Sequence, residues 1–175
     1  MLYLLDANIT ITANSTYYPI DQVPEFWSWL QHQGESGHIK MPLEIMEEVR
    51  QGHNDDPLVE WLNKPEIEHA LLLQESVDTV LVKRVVAEGY APDLRDDELE
   101  QIGRDPFLIA YALTAPLQRC VVTTETSRPS AQRQNRRVPD VCRSLGLLSC
   151  GPFQLNKALG FRTQWKLTHI GSKGA

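Results

Sequence analysis

Leu2-Tyr3-Leu4-Leu5-Asp6-Ala7-Asn8 opens the chain, and Cys120-Val121-Val122-Thr123-Thr124-Glu125 follows the same plan far downstream. Each is a short apolar run that stops at polar residues. Runs of this kind read as strands buried on both faces, with no polar side chain left for solvent. Between and around them the spacing is helical. Asp21 with Pro24 starts a helix carrying Phe26, Trp27, Trp29 and Leu30 that Gly34 stops. Ile39–Met41 is a short strand candidate, and Pro42 opens a helix closed by Gly52.

Asp56-Pro57 starts another helix. Ile67, Leu71, Val77, Val80, Leu81 and Val85 give residues 66–88 one helical stripe, broken from Gly89 to Pro92. Leu94–Gly103 reads as an acidic surface helix, Asp105-Pro106 as a helix start, Pro139-Asp140 as another, and Leu147-Leu148 as a last strand before a helix over Phe153–Leu159. Residues 9–20, rich in Thr, Asn, Ser and Tyr, read as a loop. The alternation of buried strands and helices predicts an α/β fold, a three-layer α/β/α sandwich with a mainly parallel central sheet. One domain over 1–160 and a C-terminal tail over 161–175 are expected.

Composition bounds the function. A chain of 175 residues with 42% hydrophobic content buries enough surface to fold without disulfides or a structural metal. A net charge of −6 excludes a protein that coats nucleic acid by being basic all over, but leaves room for a local basic strip beside an acidic pocket. Three cysteines with no C-x-x-C pair point to a reducing compartment and no zinc site. No signal peptide stands out, and no apolar run approaches the ~20 residues that span a bilayer, so a cytoplasmic location off the membrane is expected.

In parallel α/β sheets, ligands bind beyond the carboxyl ends of the strands. Asp6 and Glu125 stand there, and Glu44, Glu47, Glu48 and Asp105 stand at nearby helix starts. Singly, Asp105 also reads as an N-cap and Glu125 as a loop acid. Together, carboxylates from separate elements suit one or two Mg²⁺ or Mn²⁺ ions, which prefer hard oxygen donors and activate phosphodiesters. In the helix after Pro42, Glu48 lies roughly 105° from the centre of the apolar face, against nearer 150° for Glu44 and Glu47. Glu48 therefore flanks the buried side, and Glu44, one turn away, could assist. No nucleophile elbow, P-loop or dinucleotide fingerprint is present.

These residues resemble the PIN-domain family, in its VapC-like toxin branch. Tyr3–Asn8 resembles its first motif and Pro42-x-x-Ile45-x-x-Glu48-Val49 its second. Asp105-x-x-Leu108-Ile109-Ala110-x-Ala112 resembles its third, and Val121–Glu125 its fourth, where Asp is commoner than Glu. The match spans about residues 2–148, and Val138-Pro139-Asp140-Val141-Cys142 resembles a subgroup with an extended loop. The resemblance implies a Mg²⁺- or Mn²⁺-dependent endoribonuclease for single-stranded RNA, with Asp6, Glu48, Asp105 and Glu125 as metal-holding catalytic acids. It also implies a toxin held by an antitoxin protein, as homodimers or larger assemblies.

Asn8, Glu44 and Asp140 are candidate accessory residues. Asn8 reads equally as a turn residue and Asp140 as a helix-start acid. Arg128, Arg133, Arg136 and Arg137 form an acid-free run that could bind RNA phosphates or form a solvated loop. Tyr17-Tyr18 could stack on bases or pack on the surface. Two rivals remain: a PIN-like binding subunit without catalysis, and a haloacid-dehalogenase-type phosphatase. The latter needs Asp-x-Asp, and Asn8 stands at its second position.

Overall fold

β1 (Leu2–Leu5) and β3 (Arg119–Val122) pair in parallel, with Leu2 opposite Arg119 and Leu5 opposite Val122. The computed structural model describes residues 1–52 and 55–166. Among these the sheet has four strands, all parallel, in the order β2-β1-β3-β4, with β2 at Ile39–Lys40 and β4 at Leu148–Cys150. Parallel neighbours require crossovers, and the crossover helices cover both faces, so the fold is the expected three-layer α/β/α sandwich. Leu4, Leu5, Val121 and Val122 are fully buried, which is why both strands are apolar at their carboxyl ends until they leave the sheet.

The helices are α1 (Ala7–Thr12), α2 (Pro24–Glu35), α3 (Leu43–Arg50), α4 (Pro57–Leu62), α5 (Pro65–Leu71) and α6 (Thr79–Arg84). They continue with α7 (Asp96–Ile102), α8 (Asp105–Leu113), α9 (Val138–Ser144) and α10 (Pro152–Ala158). Asp56 caps α4 by accepting from the Leu58 amide at 2.8 Å.

Four expectations are corrected. Residues 9–20 are not a loop throughout: α1 starts at Ala7 and runs on as a π-helical segment, Ala13–Tyr17. Its polar residues are accommodated locally, Thr10 donating to the Ala7 carbonyl at 3.2 Å while Ile9 and Ala13 supply the buried face. The stripe over 66–88 is two helices, not one. Met41 takes Leu71 and Leu73 into strand-like backbone bonds of 2.7 and 2.9 Å, which ends α5, and Asp78 then caps α6 through the Val80 and Leu81 amides. Gly34 lies inside α2, one residue before its end, and serves packing there, since a Cβ would meet the Ala70 carbonyl oxygen at 2.7 Å. The domain also runs past residue 160. Phe161 packs edge-on against Phe26, and Trp165, 7% exposed, donates to the Glu25 carbonyl at 3.0 Å. The remainder of the expected tail, from residue 167, lies outside the described residues.

Candidate active site

The carboxyl ends of β1, β3 and β4 are level, because Leu5 pairs with Val122 and Val122 with Cys150. The chain leaves the sheet there at Asp6, whose amide donates to the Val122 carbonyl at 2.9 Å, and at Thr123, whose amide donates to the Cys150 carbonyl at 3.1 Å. Asp6 is buried, 5% exposed. Two donors sit on its Oδ2, the Asn8 side-chain amide at 2.6 Å and the Thr123 hydroxyl at 2.7 Å. Both bonds leave Oδ1 without a side-chain donor. Asn8 in turn accepts from the Thr124 amide at 3.0 Å, locking the ends of β1 and β3 together. Asn8 is therefore both a turn-locking residue and the orienter of Asp6.

Asp105, half-buried at the start of α8, faces the same region. Burial pushes its carboxyl up to about 8, with Asp6, Glu125 and Glu48 adding their negative charges. Asp6 is raised to about 6, first by burial and then by Glu48 and Glu125, against the pull of the Thr123 bond. Glu48 keeps an outer face in solvent, and the part packed inside raises its carboxyl while Arg104 pulls it down. Among the described residues, no Lys, Arg or His pairs with Asp6 or Asp105. Nor do any three His, Cys, Asp or Glu side chains there stand closely enough to hold a metal ion as they are. Like charges without a counter-ion keep apart, so convergence would have to accompany cation binding.

The other expected residues fare differently. Glu125 is committed, accepting from the Val138 amide at 2.7 Å and the Arg137 guanidinium at 3.1 Å, so it caps α9 while its charge reaches Asp6 and Asp105. Glu44 turns away from the acids toward the Tyr111 hydroxyl, which burial and then Glu44 raise to about 12. Asp140 is a loop clasp rather than a pocket acid, accepting from Ser127 Oγ at 2.5 Å and the Arg128 amide at 2.6 Å.

The arginine run is largely spent on the protein. Arg133, with φ of 52°, grips Glu98 at 2.8 and 2.7 Å and Asp93 at 2.8 Å. Arg136 holds the Gly89 and Asp140 carbonyls. Arg137 is on Glu125, and Arg128 lines an outer hollow with Gln132, Asn135 and the Arg133 already held by Glu98.

Three residues were not picked out from sequence. Thr123 holds Asp6, and its place in the Val-Thr-Thr-Glu motif is the signal that could have found it. Arg104 bridges α8 to α3 through the Glu44 carbonyl and Glu47, at 3.1 Å in the second case. Tyr90, 6% exposed, points its hydroxyl at Asp105 Oδ2, 3.5 Å away. A π-helical turn, Val85–Tyr90, delivers it, and no periodicity argument finds such a turn.

A protein-family profile described as Domain of unknown function (DUF4411) matches residues 3–163. The chain belongs to the DUF4411 family. The matched span contains all four acids and both halves of the Asp6 lock, and it reaches past Phe161. No curated protein and no solved structure gives a significant match to this DUF4411 chain. Among its described residues no helix is long and apolar enough to cross a membrane.

Proposed function

We propose that the chain is a divalent-metal-dependent endoribonuclease acting on single-stranded RNA. The observation that carries this is that Asp6, Asp105, Glu48 and Glu125 lie near enough beyond the carboxyl edge of a parallel sheet to raise the Asp6 and Asp105 carboxyls by their charges, with no basic partner for Asp6 or Asp105 among the described residues. The donor set fits a hard cation, being all oxygen, and a cation would relieve the burial and mutual repulsion that raise the Asp6 and Asp105 carboxyls. Asp6, Glu48 and Asp105 would hold Mg²⁺ or Mn²⁺, and Glu125 would assist once it loosens from Arg137. When bound, the ion supplies the positive charge that polarises a phosphodiester.

The chain's own residues prepare the site. Asn8 and Thr123 fix one oxygen of Asp6 and present the other. Tyr90 limits the swing of Asp105. Asn8 offers an amide where an aspartyl phosphatase needs an acid, and it is already committed to Asp6 and Thr124, which speaks against the phosphatase reading. The toxin role, the antitoxin partner and homodimer formation rest on the PIN-domain resemblance. A binding-only PIN-like subunit stays as a second reading, because Glu125 is tied to Val138 and Arg137.

The test is cleavage of single-stranded RNA by purified protein, stripped of any copurifying partner, with Mg²⁺, Mn²⁺ or EDTA, alongside Mn²⁺ binding by calorimetry. Cleavage that needs the metal and is abolished by Asp6→Asn is expected. Mn²⁺ binding without cleavage of any RNA would favour the binding subunit, and no metal binding would remove the nuclease reading.

A further inference from the structure

Two surfaces, one polar and one aromatic, touch the residues just beyond β3, the polar one at Glu125 and the aromatic one at Thr124. The polar one is a hollow of about 230 Å³ between the ends of β3 and β4 and the starts of α9 and α10, lined by Thr123, Glu125, Ser127, Arg143, Ser149 and Gln154. Arg143 is its exposed cation. Its side chain is 68% accessible, and its bond to Asp140 is long at 3.4 Å. Gln154 uses its carbonyl oxygen on the Gly151 amide at 2.9 Å, which keeps its NH₂ group for a ligand.

The aromatic surface lies on the other side of the first turn of α10. Phe153 is 58% and Tyr17 45% exposed, and their rings meet edge to face with centroids 5.3 Å apart. Behind them, Tyr18 stacks on Phe26 at 4.3 Å and accepts from Asn156 at 3.3 Å, so the platform has a fixed base. Thr124, whose amide binds Asn8, lines the same groove. Lys157 is exposed one turn after Phe153 on the same face of α10.

A guanidinium beside a polar hollow that reaches Glu125, and exposed rings beside a lysine in a groove that reaches Thr124, match a chain that alternates phosphates with flat bases. The bases must be unpaired, because a duplex hides their faces. We propose that these surfaces form the subsite for nucleotides flanking the cleaved bond of a single-stranded RNA. Arg143 holds a phosphate in the hollow, and Phe153 with Tyr17 stacks on a base. This rests on the nuclease reading above.

The test titrates full-length Asp6→Asn protein with a labelled single-stranded RNA at several salt concentrations. Added Tyr17→Ala and Phe153→Ala should weaken affinity by about 5- to 150-fold, the effect of losing one stacked base, with the salt slope unchanged. Phe153→Trp should restore binding, and an oligonucleotide with abasic sites should be indifferent to all three changes. Arg143→Ala should lower the salt slope by about 0.7, and Arg143→Lys should keep it. If the parent binds RNA and neither the aromatic nor the Arg143 variants differ from it, the subsite is wrong and the nuclease reading stands. If the aromatic variants turn a dimer into a monomer in sedimentation without loss of RNA affinity, the patch is a protein contact and the inference falls. A parent that binds no RNA at all overturns the nuclease reading itself.

Discussion

Asp105 holds its proton to about pH 8, above the ordinary carboxylate range, because it is enclosed and faces Asp6, Glu125 and Glu48. The folded chain therefore keeps a proton that the unfolded chain releases. Stability of the metal-free protein should fall as pH rises from about 4, the ordinary Asp value, through about 8, and level off above. Asp105→Asn removes that liability. In EDTA it should raise the Tm at pH 8.5 by a few degrees, at about 2–4 °C per kcal/mol for a chain this size, and change it little at pH 5. Melts at the two pH values decide; an equal shift at both would mean that charge repulsion is not the cause. Thr123 and Asn8 work at the same scale. By placing two donors on Oδ2 they make Asp6 a directed ligand candidate rather than a freely rotating acid.

The elements that carry the site are held by the loop after β3. Residues 128–137 look from composition like an RNA-binding strip, yet Arg133 and Arg136 are turned inward. Arg133 clamps the buried Glu98, whose carboxyl it and the Arg95 amide draw down to about 2, so that the loop is fastened to α7. Arg136 grips the carbonyl of Gly89, next to the Tyr90 that faces Asp105, while Gly89 itself lies where a Cβ would strike Val141 at 2.6 Å. Arg133→Ala should lower the Tm by several degrees. Its effect on the RNA salt slope should be nil, because the guanidinium already has protein partners. A fluorescence melt with the RNA titration checks both, and a slope that falls by about 0.7 would return Arg133 to the RNA path.

For the whole molecule, the last described residues belong to the domain. Phe161 fits among Tyr18, Phe26 and Trp29, and Trp165 stacks beside His32. Truncation after Gly160 should expose that aromatic cluster and lower the Tm by about 10 °C, on the scale of deleting a large buried side chain. Circular dichroism melts of the full and shortened chains measure it; an unchanged Tm would restore the view of 161–175 as a tail. The same truncation loosens the base under Tyr18 and so should also weaken the Tyr17–Phe153 surface.

The sequence by itself determined the layers and the location of the acids. Leu2–Leu5 and residues 120–122 carry no charged residue for a solvent face, which favours a covered parallel sheet. Asp6 and Thr123 then fall at its carboxyl edge because the chain turns polar there and nowhere earlier. Helix rotation at about 100° per residue points to Glu48 rather than Glu44; in the structure Glu48 is the more exposed of the two, and its charge reaches Asp6 and Asp105.

Only the tertiary structure decided what each polar group spends its bonds on. Nothing local tells that Glu125 and Asp140 cap and clasp, that Arg133 meets Glu98 thirty-five residues away, or that Met41 ends α5 by pairing with Leu72. Tyr90 reaches Asp105 through a π-helical turn held by Arg136. These choices depend on partners distant in sequence, and a hydrogen bond is satisfied by whatever the fold brings near. Periodicity records which side of an element is buried; it carries no record of the group waiting there.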